Sequence, residues 1–316
     1  MSKVLVTGGA GFIGSHVVDA LIAADHEVAV VDDLSSGCVD HLNERATFYE
    51  LDIRCQQMAE IFEETRPEYV YHFAAQIDVR KSVEDPIYDA DVNVRGSLNL
   101  LELCARHKVK KFIFASTGGA IYGSPDKLPA DEQCPPRPES PYGTSKLCVE
   151  NYVGLYGRLH KLNYANLRFP NVYGPRQTPH GEAGVCSILA GKMLAGEAPI
   201  LYGHGKPLRD YVYVGDIARA CLLAMKKGDG VTVNLGSGKG VSVKQLFDII
   251  QKLTGFTGKP ILKDLRPGEV DKIYITGDLA REILGWKPDV SLEEGLEKTV
   301  AYVQSTMPDA VSSEPE

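Results

Sequence analysis

The sequence predicts an α/β fold, in which a doubly wound parallel sheet is followed by a smaller C-terminal domain of mixed helices and strands. Two observations predict this fold class. In the first half, short and nearly all-apolar runs alternate with amphipathic stretches, and such strands are buried on both faces by crossover helices. After about Pro170, Gly and Pro become frequent and the helix and strand signals become shorter. A chain of 316 residues is long enough for two compact domains.

The elements of the first half follow one another as strands and helices joined by right-handed crossovers. The predicted strands are Val4–Thr7, Val28–Asp32, Thr47–Leu51, Tyr69–Phe73, Lys111–Ser116 and Tyr164–Arg168. The predicted helices are Ile13–Ala24, Gln57–Glu64, Asp89–His107 and Thr144–Leu159, and in the second half Ser187–Ala195, Val214–Met225, Val243–Thr254 and one that ends the stretch Leu284–Gln304. We expect a first domain over residues 1–170, to which residues of about 209–236 return, a second over residues 171–307, and a disordered tail over residues 308–316.

Composition and charge exclude several classes of protein. The chain has 34 Lys and Arg residues against 42 Asp and Glu residues, a formal net charge of −8, and no basic block, which argues against nucleic-acid and anionic-membrane binding. Its seven cysteines form no C-x-x-C pair and its eight histidines no H-E-x-x-H motif, so we expect neither a disulfide framework nor a metal site. We find no signal-peptide pattern and no apolar run near the roughly 20 residues that span a bilayer. We therefore expect a cytoplasmic protein.

A glycine-rich turn directly follows the first strand. The segment TGGAGFIG places Gly8, Gly11 and Gly14 three residues apart. Glycines let the backbone approach a pyrophosphate without an intervening Cβ, and the following helix presents free N–H groups to the phosphates. Alone, the pattern also fits an ordinary tight turn. The strand before it, the helix after it and Asp32 at the end of the second strand together predict a dinucleotide site.

Further polar and small residues end the strands of this site. The Asp32 carboxylate would accept hydrogen bonds from a ribose diol and repel a 2′-phosphate, so the expected cofactor is NAD. Asp52 could reach the adenine amino group or cap a helix, and spacing alone favours neither. The segment His72–Gln76 ends the fourth strand with small residues, as a backbone beside a cofactor requires. Asn93, within a helical stretch, could hold this wall together through buried hydrogen bonds.

Tyr142 and Lys146 form a Y-x-x-x-K pair. On a helix, residues four apart share a face, so the phenol and the ammonium would enter one pocket. A nearby ammonium and a nicotinamide cation would lower the pKa of the phenol and make Tyr142 a general base. The pair alone also fits an ordinary helix surface. However, Ser116 and Thr117 end another strand, where the ligand crevice of a doubly wound sheet lies. The hydroxyls, the phenol and the ammonium together predict a catalytic site.

Ten motifs extend from residue 3 to about residue 270: TGGAGFIG, VVDDLSSG, LDIR, HFAAQ, STGGAIYG, PYGTSK, LRFPNVYGPR, RDYVYVGDIA, NLGSG and RPGEV. In these motifs the sequence resembles the extended short-chain dehydrogenase/reductase family, and within it the nucleotide-sugar epimerases of the UDP-glucose 4-epimerase type. The resemblance implies that residues 1–170 form an NAD-binding Rossmann domain and that residues 171–307 bind a nucleotide sugar.

The resemblance also implies roles for individual residues. The implied catalytic residues are Thr117, Tyr142 and Lys146. The implied cofactor contacts are Gly8, Gly11, Phe12, Ile13, Gly14, Asp32, Asp33, Ser35, Ser36, Gly37, Asp52, Ile53, Phe73, Ala74, Ala75, Gln76, Asn93, Ala115, Ser116, Tyr142, Lys146, Phe169 and Pro170. The implied substrate contacts are Gln76, Thr117, Tyr142, Asn171, Val185, Ile200, Tyr202, Arg209, Arg266 and Glu269. Two arginines suit a diphosphate, because a guanidinium can bind its oxygens bidentately. Arg209 could equally form a surface pair with Asp210.

The implied reaction is a 4-epimerisation through a 4-keto sugar. Tyr142 would take the proton of the 4-hydroxyl while hydride passes from C4 to NAD, and hydride would return after the keto sugar has turned. UDP-glucose and UDP-galactose are the first choice of substrate, and UDP-N-acetylhexosamines and UDP-uronates remain alternatives. The resemblance further implies a homodimer through the helices Asp89–His107 and Thr144–Leu159, although their apolar stripes could instead face the core.

Other activities remain open alongside epimerisation. Related 4,6-dehydratases carry an acid pair directly after the threonine, and UDP-glucuronate decarboxylases usually carry a Glu there. This chain has Gly118 and Gly119 at those places. A non-catalytic NAD-binding module is disfavoured, because it would be expected to have lost a member of the catalytic trio.

Overall fold

The structure is a computed structural model that describes residues 1–178, 184–265 and 270–307. The strands are β1 (Lys3–Thr7), β2 (Glu27–Asp32), β3 (Thr47–Glu50), β4 (Tyr69–His72), β5 (Lys111–Thr117), β6 (Asn163–Phe169), β7 (Asn171–Tyr173), β8 (Ile200–Tyr202), β9 (Leu208–Arg209), β10 (Tyr211–Tyr213), β11 (Val231–Asn234), β12 (Val241–Ser242), β13 (Ile261–Lys263) and β14 (Lys272–Ile273). The α-helices are α1 (Phe12–Ala23), α2 (Met58–Thr65), α3 (Val79–Glu84), α4 (Pro86–Ala90), α5 (Gly96–Arg106), α6 (Pro141–His160), α7 (Val185–Leu194), α8 (Val214–Lys226), α9 (Val243–Thr254), α10 (Asp278–Leu284) and α11 (Leu292–Thr306).

The central sheet has seven parallel strands in the order β11-β6-β5-β4-β1-β2-β3. Successive strand residues point to opposite faces, and in β1 both faces are apolar. Val4 and Val6 pack with α1 and α8 on one side, whereas Leu5 packs with α2, α5 and α6 on the other. The predicted doubly wound parallel sheet is thereby confirmed.

Segments from the last third of the chain complete this sheet and its core. β11 pairs with β6, and α8 packs against α1. Trp286, directly after α10, is fully buried in the same core, and its Nε1 donates to the carbonyl of Asp216 at 2.8 Å. The residues that return to the first core therefore extend to residue 286.

The second region is built from short sheets and three helices. β7 pairs with β10, β8 pairs with β13, and β9 lies between β12 and β14. The helices α7, α9 and α11 enclose a separate core that includes Tyr173, Leu189, Leu246 and Leu296. This agrees with the smaller mixed α/β region expected after the first domain.

The helix predicted over Asp89–His107 is confirmed in most of its length, but it starts earlier and contains a π-helical turn. Pro86 starts a new helix, α4, whose first turn is capped by Asp85 through the N–H of Tyr88 at 2.9 Å. Residues Asp91–Arg95 then form a π-helical turn before α5 begins. The preceding helix α3 is absent from the sequence-based assignment.

Helix α6 begins at Pro141, three residues before its predicted start. Ser140 caps it by accepting the N–H of Gly143 at 3.1 Å, and proline is favourable in the first turn, where its missing N–H costs no helical bond. Tyr142 consequently lies within the first turn of α6, so it and Lys146 do share a helix.

In the described ranges, none of the helices combines the length and apolar character needed to cross a membrane. All seven cysteines are free thiols. Within the same ranges, no group of three or more His, Cys, Asp or Glu side chains is arranged to hold a metal ion.

Candidate active site

The turn between β1 and α1 needs glycine for steric reasons. Gly8 has a φ of +71°, and a Cβ there would lie 2.4 Å from the backbone nitrogen of Ala74. A Cβ on Gly14 would lie 2.1 Å from the carbonyl oxygen of Gly8. Gly11 is the N-cap of α1 and no side chain caps that helix. The first N–H groups of an α-helix have no intrahelical acceptor, and in α1 no side chain of the N-cap binds them. The turn therefore fits the pyrophosphate of NAD.

Asp32 ends β2 beside this turn. Its Oδ2 accepts the N–H of Ala10 and its Oδ1 accepts the N–H of Leu34, both at 3.0 Å. Burial raises the pKa of the carboxyl group, and these backbone hydrogen bonds act against the rise. Each carboxylate oxygen has a second lone pair, so Asp32 can still accept hydrogen bonds from a ribose diol.

Asp52 binds the neighbouring Arg54. Its Oδ1 accepts the backbone N–H of Arg54 at 2.8 Å, and the guanidinium donates to both carboxylate oxygens. Arg54 also pairs with Asp91 at 2.6 Å and lowers the pKa of Asp52. Because α2 begins only at Met58, with Gln57 as its N-cap, the predicted alternative of Asp52 as a helix cap is wrong.

The segment from Phe73 to Gln76 after β4, which forms one wall of the site, is stabilised by a buried hydrogen-bond network around Asn93. Its Oδ1 accepts the N–H of Gln76, and its Nδ2 donates to the carbonyl of Gln76 and to Oδ1 of Asp89, at 2.9–3.0 Å. The Nε2 of Gln76 donates to the carbonyl of Asp78 and to Asp89. Both amide protons of Gln76 are thus engaged within the wall. Its side chain holds the wall together, and the substrate contact implied for Gln76 stays a prediction.

The other predicted cofactor residues lie at the carboxyl ends of central strands or in adjacent loops. Phe73 follows β4 and Phe169 ends β6, and their rings stack at 6.3 Å between centroids. Asp33 accepts hydrogen bonds from the backbone N–H and hydroxyl of Ser35 in the loop after β2. The remaining residues of this set are Phe12 and Ile13 on α1, Ser36 and Gly37 after β2, Ile53 after β3, Ala74 and Ala75 after β4, Ala115 and Ser116 on β5, and Pro170 after β6.

Thr117, Tyr142 and Lys146 converge where β5 meets α6. The Thr117 hydroxyl lies near the phenol of Tyr142, and its interaction with that phenol lowers the pKa of Tyr142. Lys146 Nζ lies 5.9 Å from the centroid of the Tyr142 ring and 4.9 Å from that of Phe114, and it donates to the carbonyl of Ala115 at 3.0 Å. The sequence motif and the strand end therefore form one cluster.

Burial dominates the electrostatics of this cluster. It raises the pKa of the Tyr142 phenol above its usual value, the negative charge of Asp89 adds to the rise, and the Thr117 hydrogen bond opposes it. Burial also lowers the pKa of Lys146 to about 8, against the opposing effects of Asp89 and Glu150. The lowered phenol pKa expected from the lysine is therefore not produced by these side chains. The lost hydration of the phenolate is the largest cause of the raised pKa of Tyr142.

A buried ion pair joins α6 to β6 next to this cluster. Glu150, one helical turn after Lys146, accepts hydrogen bonds from Nε and Nη2 of Arg168 at 2.9 and 2.7 Å and from the Ser116 hydroxyl at 2.5 Å. Nη1 of Arg168 donates to the hydroxyl of Tyr122 at 2.7 Å. The sequence prediction missed this pair, although charged residues within an apolar helix stripe and an apolar strand were a usable signal.

Gly119 lies close to both Asn171 and Thr117. A Cβ on Gly119 would lie 3.7 Å from Oδ1 of Asn171 and 3.8 Å from Oγ1 of Thr117, which is ordinary contact. By contrast, a Cβ on Gly118 would lie 2.3 Å from the side chain of Ile275. The two glycines therefore differ, since only Gly119 leaves room for an added group.

Arg209 and Asp210 do not form the surface pair considered as an alternative. The Arg209 guanidinium donates to the backbone carbonyls of Leu208 at 2.9 Å and Val270 at 2.5 Å. Asp210 is buried and accepts hydrogen bonds from the N–H and hydroxyl of Ser237 and the N–H of Ile275. That alternative is wrong because Asp210 points into the protein.

The remaining implied substrate residues are distributed over the second region. Val185 begins α7, which packs against α9 and α11. Ile200 and Tyr202 lie on β8, which pairs with β13. Arg266 and Glu269 lie outside the described residues, as does the tail 308–316.

Known proteins resemble this chain along most of its length. The model of the NAD-dependent epimerase/dehydratase family matches residues 4–236. The UDP-glucose 4-epimerase of Mycolicibacterium smegmatis is 40% identical over 309 residues, which cover 96% of this chain and 99% of that protein.

Two solved structures share the fold. The UDP-glucose 4-epimerase of Thermotoga maritima with UDP-glucose has a TM-score of 0.95 and 52% identity. The UDP-glucose 4-epimerase of Thermus thermophilus with NAD has a TM-score of 0.91 and 42% identity. Each comparison covers 96% of this chain and 99% of the other.

Proposed function

The chain belongs to the NAD-dependent epimerase/dehydratase family, and we propose that it is a UDP-sugar 4-epimerase acting on UDP-glucose and UDP-galactose. The observation that carries this proposal is the convergence of Thr117, Tyr142 and Lys146 where β5 meets α6, with Gly119 and Asn171 close to Thr117. The similarity to UDP-glucose 4-epimerases along nearly the whole chain supports the substrate class.

The residues of the crevice fit NAD. The Gly8–Gly14 turn and the start of α1 would hold the pyrophosphate, Asp32 the adenosine ribose, and the wall from Phe73 to Gln76 the nicotinamide half. Bound NAD would supply the hydride-accepting and hydride-donating chemistry that inversion at C4 of the sugar requires. The protein's own side chains would bind and orient the sugar nucleotide and move the proton of its 4-hydroxyl.

Tyr142 is the base on the 4-hydroxyl in this proposal. The phenolate form is needed to take the proton, and burial opposes it. The Thr117 hydroxyl favours phenolate, and in the complex it would hydrogen-bond the reacting oxygen of the sugar. The Lys146 ammonium adds positive charge on the same face. After the sugar has turned, Tyr142 returns the proton to the oxygen on inverted C4.

Arg209 would hold the diphosphate while the sugar turns. Its guanidinium is fixed by the carbonyls of Leu208 and Val270, so it is ordered before a substrate arrives. Arg266, Glu269, Asn171 and the second-region residues Val185, Ile200 and Tyr202 would complete the nucleotide-sugar contacts. Binding energy from the nucleotide would then retain the keto sugar within the crevice.

The surroundings of Gly118 favour epimerisation over elimination. A dehydratase needs an acid directly after the threonine, and a side chain at residue 118 would collide with Ile275. Gly118 and Gly119 carry no group that could protonate a leaving hydroxyl. The 4-keto sugar would therefore be reduced again and lose no water.

We also propose a cytoplasmic homodimer. Val83 on α3, Ile87 on α4 and Leu159 on α6 are 62%, 81% and 65% exposed, and these three helices pack beside one another. Burying such side chains in a second copy would remove apolar surface from water. The free thiols suit a reducing compartment. Sedimentation equilibrium tests the dimer, and a monomer at micromolar concentration would contradict it.

The test is to incubate the purified protein with UDP-galactose without added NAD and to separate the products by anion exchange. We expect UDP-glucose, because the cofactor would remain bound. Accumulation of reduced nicotinamide with oxidised sugar would show a dehydrogenase, and a 4-keto-6-deoxy sugar would show a dehydratase. Parallel reactions with UDP-N-acetylglucosamine and UDP-glucuronate would establish the preferred sugar.

Tyr142→Phe is the matched control for that assay. It removes the phenol oxygen and keeps the ring, so we expect turnover to fall by about 10²–10⁴-fold while NAD stays bound. Persistent activity would show that another group is the base.

A further inference from the structure

Asp89 on α4 is a fully buried carboxylate at the back of the catalytic cluster. It accepts three hydrogen bonds, from Nε2 of Gln76 and Nδ2 of Asn93 at 3.0 Å and from Oγ of Ser145 at 2.7 Å. All three donors are neutral groups. They satisfy the oxygens of the carboxylate but do not cancel its charge.

The three donors belong to different parts of the site. Gln76 lies in the wall after β4, Asn93 lies in the π-helical turn, and Ser145 lies on α6 between Tyr142 and Lys146. A single carboxylate therefore links the cofactor wall to the helix that carries the base and the ammonium.

The charge of Asp89 acts on both catalytic groups of α6. It favours the ammonium form of Lys146 and disfavours the phenolate form of Tyr142. Glu150 also favours the ammonium, from one turn further along α6. His72 on β4 also interacts with the charge of Lys146, and burial lowers the pKa of that imidazole to about 3, so it is neutral at working pH.

We propose that Asp89 is a positioning residue of the epimerisation, which holds the Ser145 turn of α6 and supplies the buried negative charge that keeps Lys146 an ammonium. The proposal rests on the proposed function. Lys146 is only 4% exposed, so its charged form needs compensation from nearby carboxylates. The same charge must delay the ionisation of Tyr142, and the two effects give the pH dependence a defined direction.

Asp89→Asn separates charge from shape. The amide oxygen can accept from Gln76 and Asn93, and the amide nitrogen can donate to Ser145, whose hydroxyl hydrogen rotates away. Without the charge, the pKa values of Tyr142 and Lys146 both fall. We therefore expect both limbs of the pH profile of kcat/KM to move to lower pH, by about one pH unit.

Two variants control for loss of structure. Ser145→Ala removes a hydrogen bond to Asp89 but leaves the charge, so the limbs should stay at their wild-type pH. Asp216→Asn removes an equally buried carboxylate that binds the N–H groups of Asp289 and Val290. It should lower the melting temperature without moving either limb.

A titration without turnover gives an independent reading. Phenolate absorbance of the NAD-loaded protein, minus that of Tyr142→Phe, reports the ionisation of Tyr142, which should occur at lower pH in Asp89→Asn. The proposal would be overturned if Asp89→Asn moved neither the limbs of the pH profile nor the titration of Tyr142, or if it moved them to higher pH. If wild-type protein does not epimerise UDP-galactose, the proposed function fails, and the titration still decides the role of Asp89. Should Asp89→Asn not fold, Asp89→Ser removes the charge and leaves room for a water among the three donors.

Discussion

The buried pair of Glu150 and Arg168 offers a stringent test of how the catalytic helix is anchored. The two side chains are 6% and 7% exposed and share two hydrogen bonds, at 2.9 and 2.7 Å. In Glu150→Gln the guanidinium stays buried without its counter-charge. Breaking a buried pair by removing one partner costs about 3–5 kcal/mol, so we expect a loss of that size in the free energy of unfolding.

Urea unfolding, followed by circular dichroism and by the fluorescence of Trp286, measures that loss. The double variant Glu150→Gln with Arg168→Met leaves no unpaired charge, and we expect it to be less destabilised than Glu150→Gln alone. Glu27→Gln, in an exposed pair with Lys3 at 3.8 Å, is the control and should leave unfolding unchanged. A loss below about 1 kcal/mol in Glu150→Gln, or a double variant whose loss equals the sum of the single losses, would refute the reasoning.

Three further predictions concern the turn, the second region and the returning segment. In Gly8→Ala a residue with a φ of +71° gains a Cβ that would lie 2.4 Å from the backbone of Ala74, so we expect bound NAD to be lost. The control Gly238→Ala also has a positive φ, of +75°, but its Cβ would have nothing within 4 Å, so NAD should stay bound. Equal retention of nucleotide by the two variants after gel filtration would contradict this prediction. Burial raises the pKa of Asp210 to about 6 from 3.8, so its contribution to stability is present below pH 3.8 and lost as pH rises through 6. The melting-temperature advantage of wild type over Asp210→Asn should be greater at about pH 4 than at about pH 7, and the reverse order would oppose it. Trp286→Phe loses a buried hydrogen bond and ring volume, and urea unfolding should show a loss of about 1–3 kcal/mol.

The strands of the central sheet were predictable where their signal is local. Val4–Thr7 differs from β1 by one residue, because an all-apolar run before a glycine turn has few alternative structures. β11 was not assigned as a strand, since its partner β6 lies some 60 residues earlier in the chain. Pairings between distant segments leave little trace in either segment.

The residues of the site were likewise predictable where their signal is local. Tyr142 and Lys146 were predicted because their relation is fixed by helical spacing. Asp89 was assigned to a long helix, on which a charged residue usually faces water. Its buried position is visible only from its partners Gln76, Asn93 and Ser145, and two of these lie in distant segments of the chain. Glu150 and Arg168 were missed although each is a charged residue in an apolar segment, because neither segment alone shows that the two side chains pair.

The late contribution of β11 and Trp286 to the first core has a consequence for biosynthesis. A ribosome adds roughly 5–20 residues per second, so β6 emerges about 3–12 s before the strand that covers its edge. Trp286 follows about 50 residues after β11. During that interval the nascent chain presents an unpaired edge with Leu167 and Phe169, a surface that chaperones bind and that other chains can pair with. A fragment ending at residue 170 would keep this edge permanently open, so gene fusions should retain the chain through residue 307.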